Sequence, residues 1–221
     1  MSQEVVLFSG GMDSYVAAFM YPNATLVHVD FREQYEDKQL AAIKRIAPRH
    51  VEMLTGLDLS QFLGEDGVYL PNRNMLLATL GAMYGDTIIL GAIAGDVYPD
   101  HGTVFGDLLS ATLSHINGAE YKVLFPFSHL TKYDLVSEYI ALGGDPLDLK
   151  HTLSCYHPTE TACMKCRSCL RKLVAMGLHG FRLDEVKEYA PRISDLIREN
   201  KWSSDPADIA QTTRLLNMMR K

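Results

Sequence analysis

The feature that most restricts how this chain can fold is the passage from Val5 to Met20. Four apolar residues (Val5, Val6, Leu7, Phe8) run into Ser9-Gly10-Gly11, then Met12-Asp13-Ser14, then a segment of helical composition over residues 15–20. A strand that feeds a glycine-rich turn opening a helix gathers unpaired backbone N–H groups and the positive end of a helix dipole at one place. Such a place binds phosphate or pyrophosphate. Gly10 and Gly11 let the main chain approach the anion, and Ser9 and Ser14 add hydroxyl donors. Two familiar phosphate loops are excluded on residues. A Walker A loop requires Lys before its Ser or Thr, where Asp13 stands, and a dinucleotide loop requires a further glycine that Met12-Asp13-Ser14 does not supply. An ordinary strand-to-helix turn is the plain alternative; the flanking serines and Asp13 favour the anion site.

The alternation continues along the chain. Strands are expected over residues 5–8, 25–31, 50–54, 87–92 and 121–124. Helices are expected over 34–47, 76–83 and 104–117, and from an N-cap at Thr131 to a stop at Gly143-Gly144. Strands and helices alternating in this way predict an α/β fold with a doubly wound parallel sheet, whose ligands sit beyond the carboxyl ends of the strands. Residues 9–14, Asp30-Phe31 and residues 91–100 would then surround one crevice. Two further helices are expected over 181–200 and 204–220, the second opened by Ser204-Asp205-Pro206. Its apolar positions Ile209, Leu215, Leu216 and Met219 suit packing on the domain or on a second copy, so a homodimer is one assembly open to the chain.

With 221 residues, we expect a nucleotide-binding domain over 1–150 and a segment over 151–221 packed on it. The net charge of −6 argues against an extended nucleic-acid-binding surface. No apolar run is long enough to span a bilayer, and the first strand starts too early to leave room for a signal peptide, so a cytoplasmic location is expected. His28, His115, His129 and His179 show no ligand spacing and read as surface or packing residues.

All four cysteines fall within fifteen residues, Cys155, Cys163, Cys166 and Cys169, spaced C-x7-C-x2-C-x2-C. Tetrahedral zinc takes four thiolates, and C-x2-C lets two of them grip one ion from a tight turn. Chance would scatter four cysteines, so a metal is favoured over buried free thiols; zinc leads, and an iron–sulfur cluster suits the same ligands. If all four hold a metal, none remains as a nucleophile or sulfur carrier, and ammonia used by such a chain must come from solution or a partner. Lys165, Arg167, Arg171 and Lys172 make this segment basic. The run is expected to be a solvated face, with attraction of a polyphosphate or nucleic acid as the alternative.

The SGGMDS loop resembles that of the PP-loop ATP pyrophosphatases, which adenylate an oxygen and release pyrophosphate. Together with HTLSCYHPTETACMKCRSCLRK (151–172), it is similar to the QueC family, whose members carry SGGxDS and a C-terminal T-L-S/T-C-Y…C-x2-C-x2-C-x-L/R zinc segment. Tyr69-Leu70-Pro71-Asn72-Arg73-Asn74 is similar to the family's V-P-x-R-N. The stretch Gly91 to Asp100 is similar to its G-x4-D-x-x-x-YPD, shortened before Tyr98, and Phe125-Pro126 with Leu130-Thr131-Lys132 matches a further pair. The likeness spans about residues 4–176.

The resemblance implies an adenine nucleotide α-hydrolase-like fold with a C-terminal helical zinc-binding segment. It implies ATP-dependent conversion of 7-carboxy-7-deazaguanine and ammonia to the 7-cyano base for queuosine biosynthesis, through an adenylated carboxylate and an amide, with Mg²⁺ and Zn²⁺ as cofactors. Ser9, Gly10, Gly11 and Ser14, flanked by Phe8 and Met12, would cradle the pyrophosphate, with Asp13 orienting the loop or holding Mg²⁺. Val29, Asp30 and Phe31 would flank the adenosine. Arg73 and Asn74 would hold the carboxylate or α-phosphate, their alternative being a surface helix-start pair. Asp96 and Asp100 would accept from the guanine-like base, Tyr98 or Phe105 would stack on it, and Lys132 would neutralise phosphoryl charge. Departures are Arg32-Glu33 where the family often has Gly-Gln, His101 where it has Cys, and Ala162 for Gly. A relative that stops at the amide or takes another acid, and a nucleic-acid-thiolating enzyme, are the competing readings.

Overall fold

The computed structural model describes residues 2–64, 69–96, 99–157, 159 and 161–219. Five short strands, β1 (Glu4–Leu7), β2 (Thr25–Val29), β3 (Val51–Leu54), β4 (Thr87–Ile89) and β5 (Lys122–Leu124), form one parallel sheet in the order β3-β2-β1-β4-β5. Parallel neighbours need crossovers, and helices supply them. In the register Val6 lies opposite Leu26 on one side and Ile89 on the other. These three side chains enter the core formed with α1 (Met12–Met20) and α5 (Lys132–Ala141); α2 (Glu36–Ile46) adds Ile43 to it. The alternate residues Val5, Val27 and Ile88 enter the opposite core, formed with α3 (Arg73–Gly81) and α4 (Thr103–Asn117). Apolar residues fill both faces because both are covered, which is why β4 reads as a continuous apolar run.

The chain leaves β1 toward β2 and β3, then returns to the other side of β1 for β4 and β5. The carboxyl ends of β1 and β4 are thus the topological switch point, where such sheets bind ligands. The expected strands are all present. The expected first helix begins earlier than its apolar content indicated, because extended Gly11 (φ −76°, ψ 162°) is the N-cap and Met12, Asp13 and Ser14 form the first turn. Similarly, α3 starts at Arg73, not Leu76. At Thr131 the expected cap is a full capping box: the Thr131 hydroxyl accepts from Asp134 N and the Asp134 carboxylate accepts from Thr131 N.

Three helices complete the chain: α6 (Arg167–Leu178), α7 (Leu183–Arg198) and α8 (Pro206–Met219). Ala175 and Met176 of α6 join the sheet-side core, while Leu170, Leu173 and Val174 join a third cluster with Val186, Ile193, Leu196, Trp202, Leu215 and Leu216. Leu215 and Leu216 therefore extend the fold's own core. One expectation is overturned here: Arg171 and Lys172 are not on a solvated face but 4% and 5% exposed. Arg171 is ion-paired with Asp208. Lys172 donates to three neutral oxygens, and burial pushes its pKa down to about 7, as fits its place beneath the loop described below. Among the described residues no helix is long and apolar enough to cross a membrane.

Candidate active site

The loop between β1 and α1 is organised by its own hydroxyls. Ser14 Oγ donates to Gly11 O (3.1 Å), accepts from Ser9 N (3.2 Å) and lies 3.2 Å from Ser9 Oγ. Gly11 offers no side chain to cap α1, so the first-turn N–H groups of that helix have no side-chain cap and point at the crevice. Gly10 needs a positive φ (+69°), and a Cβ there would meet Ala42 Cβ at 3.0 Å. Gly91, at the end of β4, lies so close to the loop that a Cβ would stand 2.9 Å from Asp13 C and 3.0 Å from Ser14 N. Across the mouth Lys132, in the first turn of α5, donates to both carboxylate oxygens of Asp13 at 2.6 and 2.8 Å. One cation and one anion are therefore poised where two helix N-termini converge.

These groups open onto a cavity of about 250 Å³, lined also by Phe31, Arg73, Asn74, Asp96, Asp100 and Tyr156. Arg73 Nη1 donates to Glu33 Oε1 (3.1 Å) and to Tyr35 Oη (3.0 Å), and Tyr35 in turn donates to Glu33 Oε1 (2.5 Å). Burial raises the Tyr35 pKa, keeping that phenol a donor. Burial opposes the Arg73 charge, but Tyr35 and Glu33 more than offset it and raise the Arg73 pKa. Asp100 has a dual attachment to the start of α3: its carboxylate accepts from Asn74 N (3.2 Å) and its carbonyl from Asn74 Nδ2 (2.8 Å). His28, expected as packing or surface, is buried on the cavity wall, with Nδ1 3.1 Å from Phe8 O and Nε2 2.7 Å from Glu36 Oε1. Gln39 lies on the same wall, and its buried Oε1 has no hydrogen-bond partner among the described residues.

The four cysteine Sγ atoms lie within 4.8 Å of one another. Four thiolates on one tetrahedral zinc lie about 3.8 Å apart, so the cluster has the size of a metal site and suggests metal binding. Cys166 caps α6, its Sγ accepting from Cys169 N (3.5 Å), so the start of that helix fixes two of the four sulfurs. The segment that leads to Cys155 is bound to the anion loop: Leu153 N donates to Gly10 O (2.7 Å), and Leu153 bridges Gly11 in parallel register. Lys172 holds the same segment from beneath, donating to Thr152 O (2.6 Å), Thr152 Oγ1 (2.9 Å) and Lys150 O (3.2 Å).

Of the residues anticipated from the sequence, Phe8, Ser9, Gly11, Met12, Asp13, Ser14, Val29, Phe31, Arg73, Asn74, Asp96, Asp100 and Lys132 line the cavity. Gly10 supports the loop from behind, and Asp30 receives the Arg32 N–H (2.7 Å) instead of facing the cavity. Phe105 packs on Phe125 (6.0 Å between ring centroids) in the lower core and is absent from the cavity wall. Tyr98 lies outside the described residues. Glu33, His28, Gln39 and Arg171 were not anticipated. The only sequence signal for Glu33 was the Arg32-Glu33 departure, and Arg32 does occupy the left-handed position (φ 62°) that suits the family's glycine.

A parallel sheet whose switch point carries a glycine-led, uncapped helix N-terminus facing a lysine–aspartate pair defines a nucleotide-binding α/β enzyme of PP-loop type. The chain belongs to the QueC family: the model described as "Queuosine biosynthesis protein QueC" matches residues 61–179. It is similar to a 7-cyano-7-deazaguanine synthase of Psychromonas ingrahamii, 26% identical over 80% of this chain and 94% of that protein. Proteins of the same name from Nitratiruptor sp. (29% identical, 85% and 97% covered) and Pseudoalteromonas translucida (28%, 86% and 100%) resemble it similarly.

Proposed function

We propose that the chain converts 7-carboxy-7-deazaguanine and ammonia to 7-cyano-7-deazaguanine at the expense of ATP. Family membership supports the overall reaction, and one observation supports its location: the uncapped start of α1 and the Lys132–Asp13 pair meet on the cavity. A carboxylate is a poor acyl donor until one oxygen becomes part of a good leaving group. Adenylation supplies that group and releases pyrophosphate, whose charge the α1 N–H groups and the Ser9 and Ser14 hydroxyls are placed to receive. Lys132 would exchange its hold on Asp13 for the phosphoryl oxygens as charge develops, leaving Asp13 to orient the loop or to share Mg²⁺ carried in with ATP. Ammonia attacks the activated carbonyl and AMP leaves; a second activation removes the amide oxygen to give the nitrile.

Arg73, its guanidinium held by Glu33 and Tyr35, would bind a carboxylate or α-phosphate, and Asp96 would accept from the base. The metal held by Cys155, Cys163, Cys166 and Cys169 would be zinc, structural because protein fills all four positions. With every thiol of the chain in that cluster, none is left to relay sulfur or hydrolyse glutamine, so ammonia would come from solution or from a partner. The reaction's need for ATP supports a cytoplasmic location.

The test is product analysis by mass spectrometry with Mg-ATP, ammonium and the acid. We expect the nitrile, with one AMP for each of two activations; amide with a single AMP, or no turnover, would overturn the reading. Gly91→Ala should displace the first turn of α1 and lower kcat/KM by about 10²-fold, the scale of a misplacement near 1 Å. Steady-state kinetics with unchanged kcat/KM would show that the loop does not depend on the close approach of β4.

A further inference from the structure

Helices α7 and α8 lie beyond the last residue matched by the family model, yet the segment between and into them packs against the loop after β4 and against Arg171 of the cavity wall. Ser203 follows the buried Trp202 and touches the loop after β4. Gly95 has φ +81°, and a Cβ on it would stand 2.1 Å from Ser203 Oγ and 3.0 Å from Arg171 Nη2. Arg171, in α6, ties the two together. Its Nε donates to Asp208 Oδ2 of α8 (2.9 Å), Nη2 lies 2.9 Å from the same oxygen and donates to Ala94 O (2.9 Å), and Nη1 reaches Asp96 Oδ1 at 3.4 Å. Arg171 and Asp208 are both buried, whereas Asp96 remains a third exposed and lines the cavity.

We infer that the C-terminal tail braces the substrate loop, with Asp208 acting as a positioning residue that, through Arg171, keeps Asp96 available to the substrate's base. The inference rests on the proposed acid as substrate. One guanidinium faces two carboxylates. Asp208 takes the short, charge-assisted bonds, and Asp96 is left with the long one. A carboxylate so loosely held keeps lone pairs for the ring N–H and exocyclic amine of a guanine-like base. If the Asp208 charge is removed, Asp96 becomes the sole anion for Arg171. The guanidinium then draws it in, and the loop over residues 93–96 loses its attachment to α8.

Asp208→Asn should raise the KM for 7-carboxy-7-deazaguanine about tenfold, as loss of a well-placed charged acceptor does, while the KM for ATP changes less than about twofold. Asp208→Glu should recover much of the effect. The control is Thr212→Val, which removes the acceptor of Trp202 Nε1 (3.1 Å) and the bond to Asp208 O (2.8 Å) but leaves the partners of Arg171 intact. It should lower the melting temperature without moving either KM. Hydrogen exchange at the amides of residues 93–96 should quicken in Asp208→Asn and not in Thr212→Val. Equal KM values and equal exchange in the two variants would overturn the inference, since the tail would then be a stabilising appendage only. Failure of the wild type to turn over the acid would sink the substrate reading instead, and the exchange comparison would still decide the brace.

Discussion

Lys132→Met should lower kcat/KM for ATP-dependent turnover by about 10³-fold with the fold intact, the scale seen when one preorganised electrostatic donor is removed from a developing charge. Lys132 contacts both oxygens of Asp13 and stands in the first turn of α5, directly across from the start of α1. Its loss leaves the Asp13 carboxylate at a helix N-terminus, where the dipole still favours it, so the loop should keep its shape. The pair is partly open to solvent, and breaking it should cost no more than about 1 kcal/mol of stability. Lys132→Arg keeps the charge and should recover part of the rate. Steady-state kinetics beside a thermal melt separate the two effects. A kcat/KM within tenfold of wild type would remove Lys132 from the chemistry.

Cys163→Ser should weaken the metal site, lowering its metal content, and lower the melting temperature by roughly 10 °C. A third of the ~12 kcal/mol a four-ligand zinc site can contribute, at ~2–4 °C per kcal/mol for a chain of this size, accounts for that fall. The consequence reaches the anion loop, because the segment entering the cluster at Cys155 carries Leu153, which pairs with Gly10 and Gly11. ATP affinity should therefore fall in the variant, and in chelated wild type, at temperatures well below the melt. Metal analysis, calorimetry and nucleotide titration check this. Unchanged metal content and melting would refute a structural metal, and unchanged ATP binding in metal-free protein would refute the link to the loop.

The parts of the fold that were legible in the sequence are those set by local chemistry. The order of strands and helices followed from apolar periodicity, and the Thr131 cap from a residue type with a local partner at Asp134. The Ser9–Ser14 loop and the cysteine cluster were legible because their residues are close in the chain and of few chemical kinds. Helix starts were less so: Met12 and Arg73 begin their helices without a side-chain cap, and the ends are set by the loops packed against them. Phe105 shows the opposite failure. An aromatic near the substrate loop suggested stacking, but its position on α4 turns it toward Phe125 in the core.

By itself the sequence determined the alternating α/β architecture, the Ser9–Ser14 loop between strand and helix and the four-cysteine cluster, since each depends on residues within about one turn or one short loop of each other. Only the tertiary structure decided where the long-range charges go. Glu33 reaches Arg73 across 40 positions, and Arg171 reaches Asp96 across 75 and Asp208 across 37. Lys172 turns inward to carbonyls of the segment that carries the loop. In sequence these groups look like solvated surface, because burial of a cation is governed by partners that periodicity does not reveal. The desolvation cost is met only when the fold brings those partners within hydrogen-bonding distance.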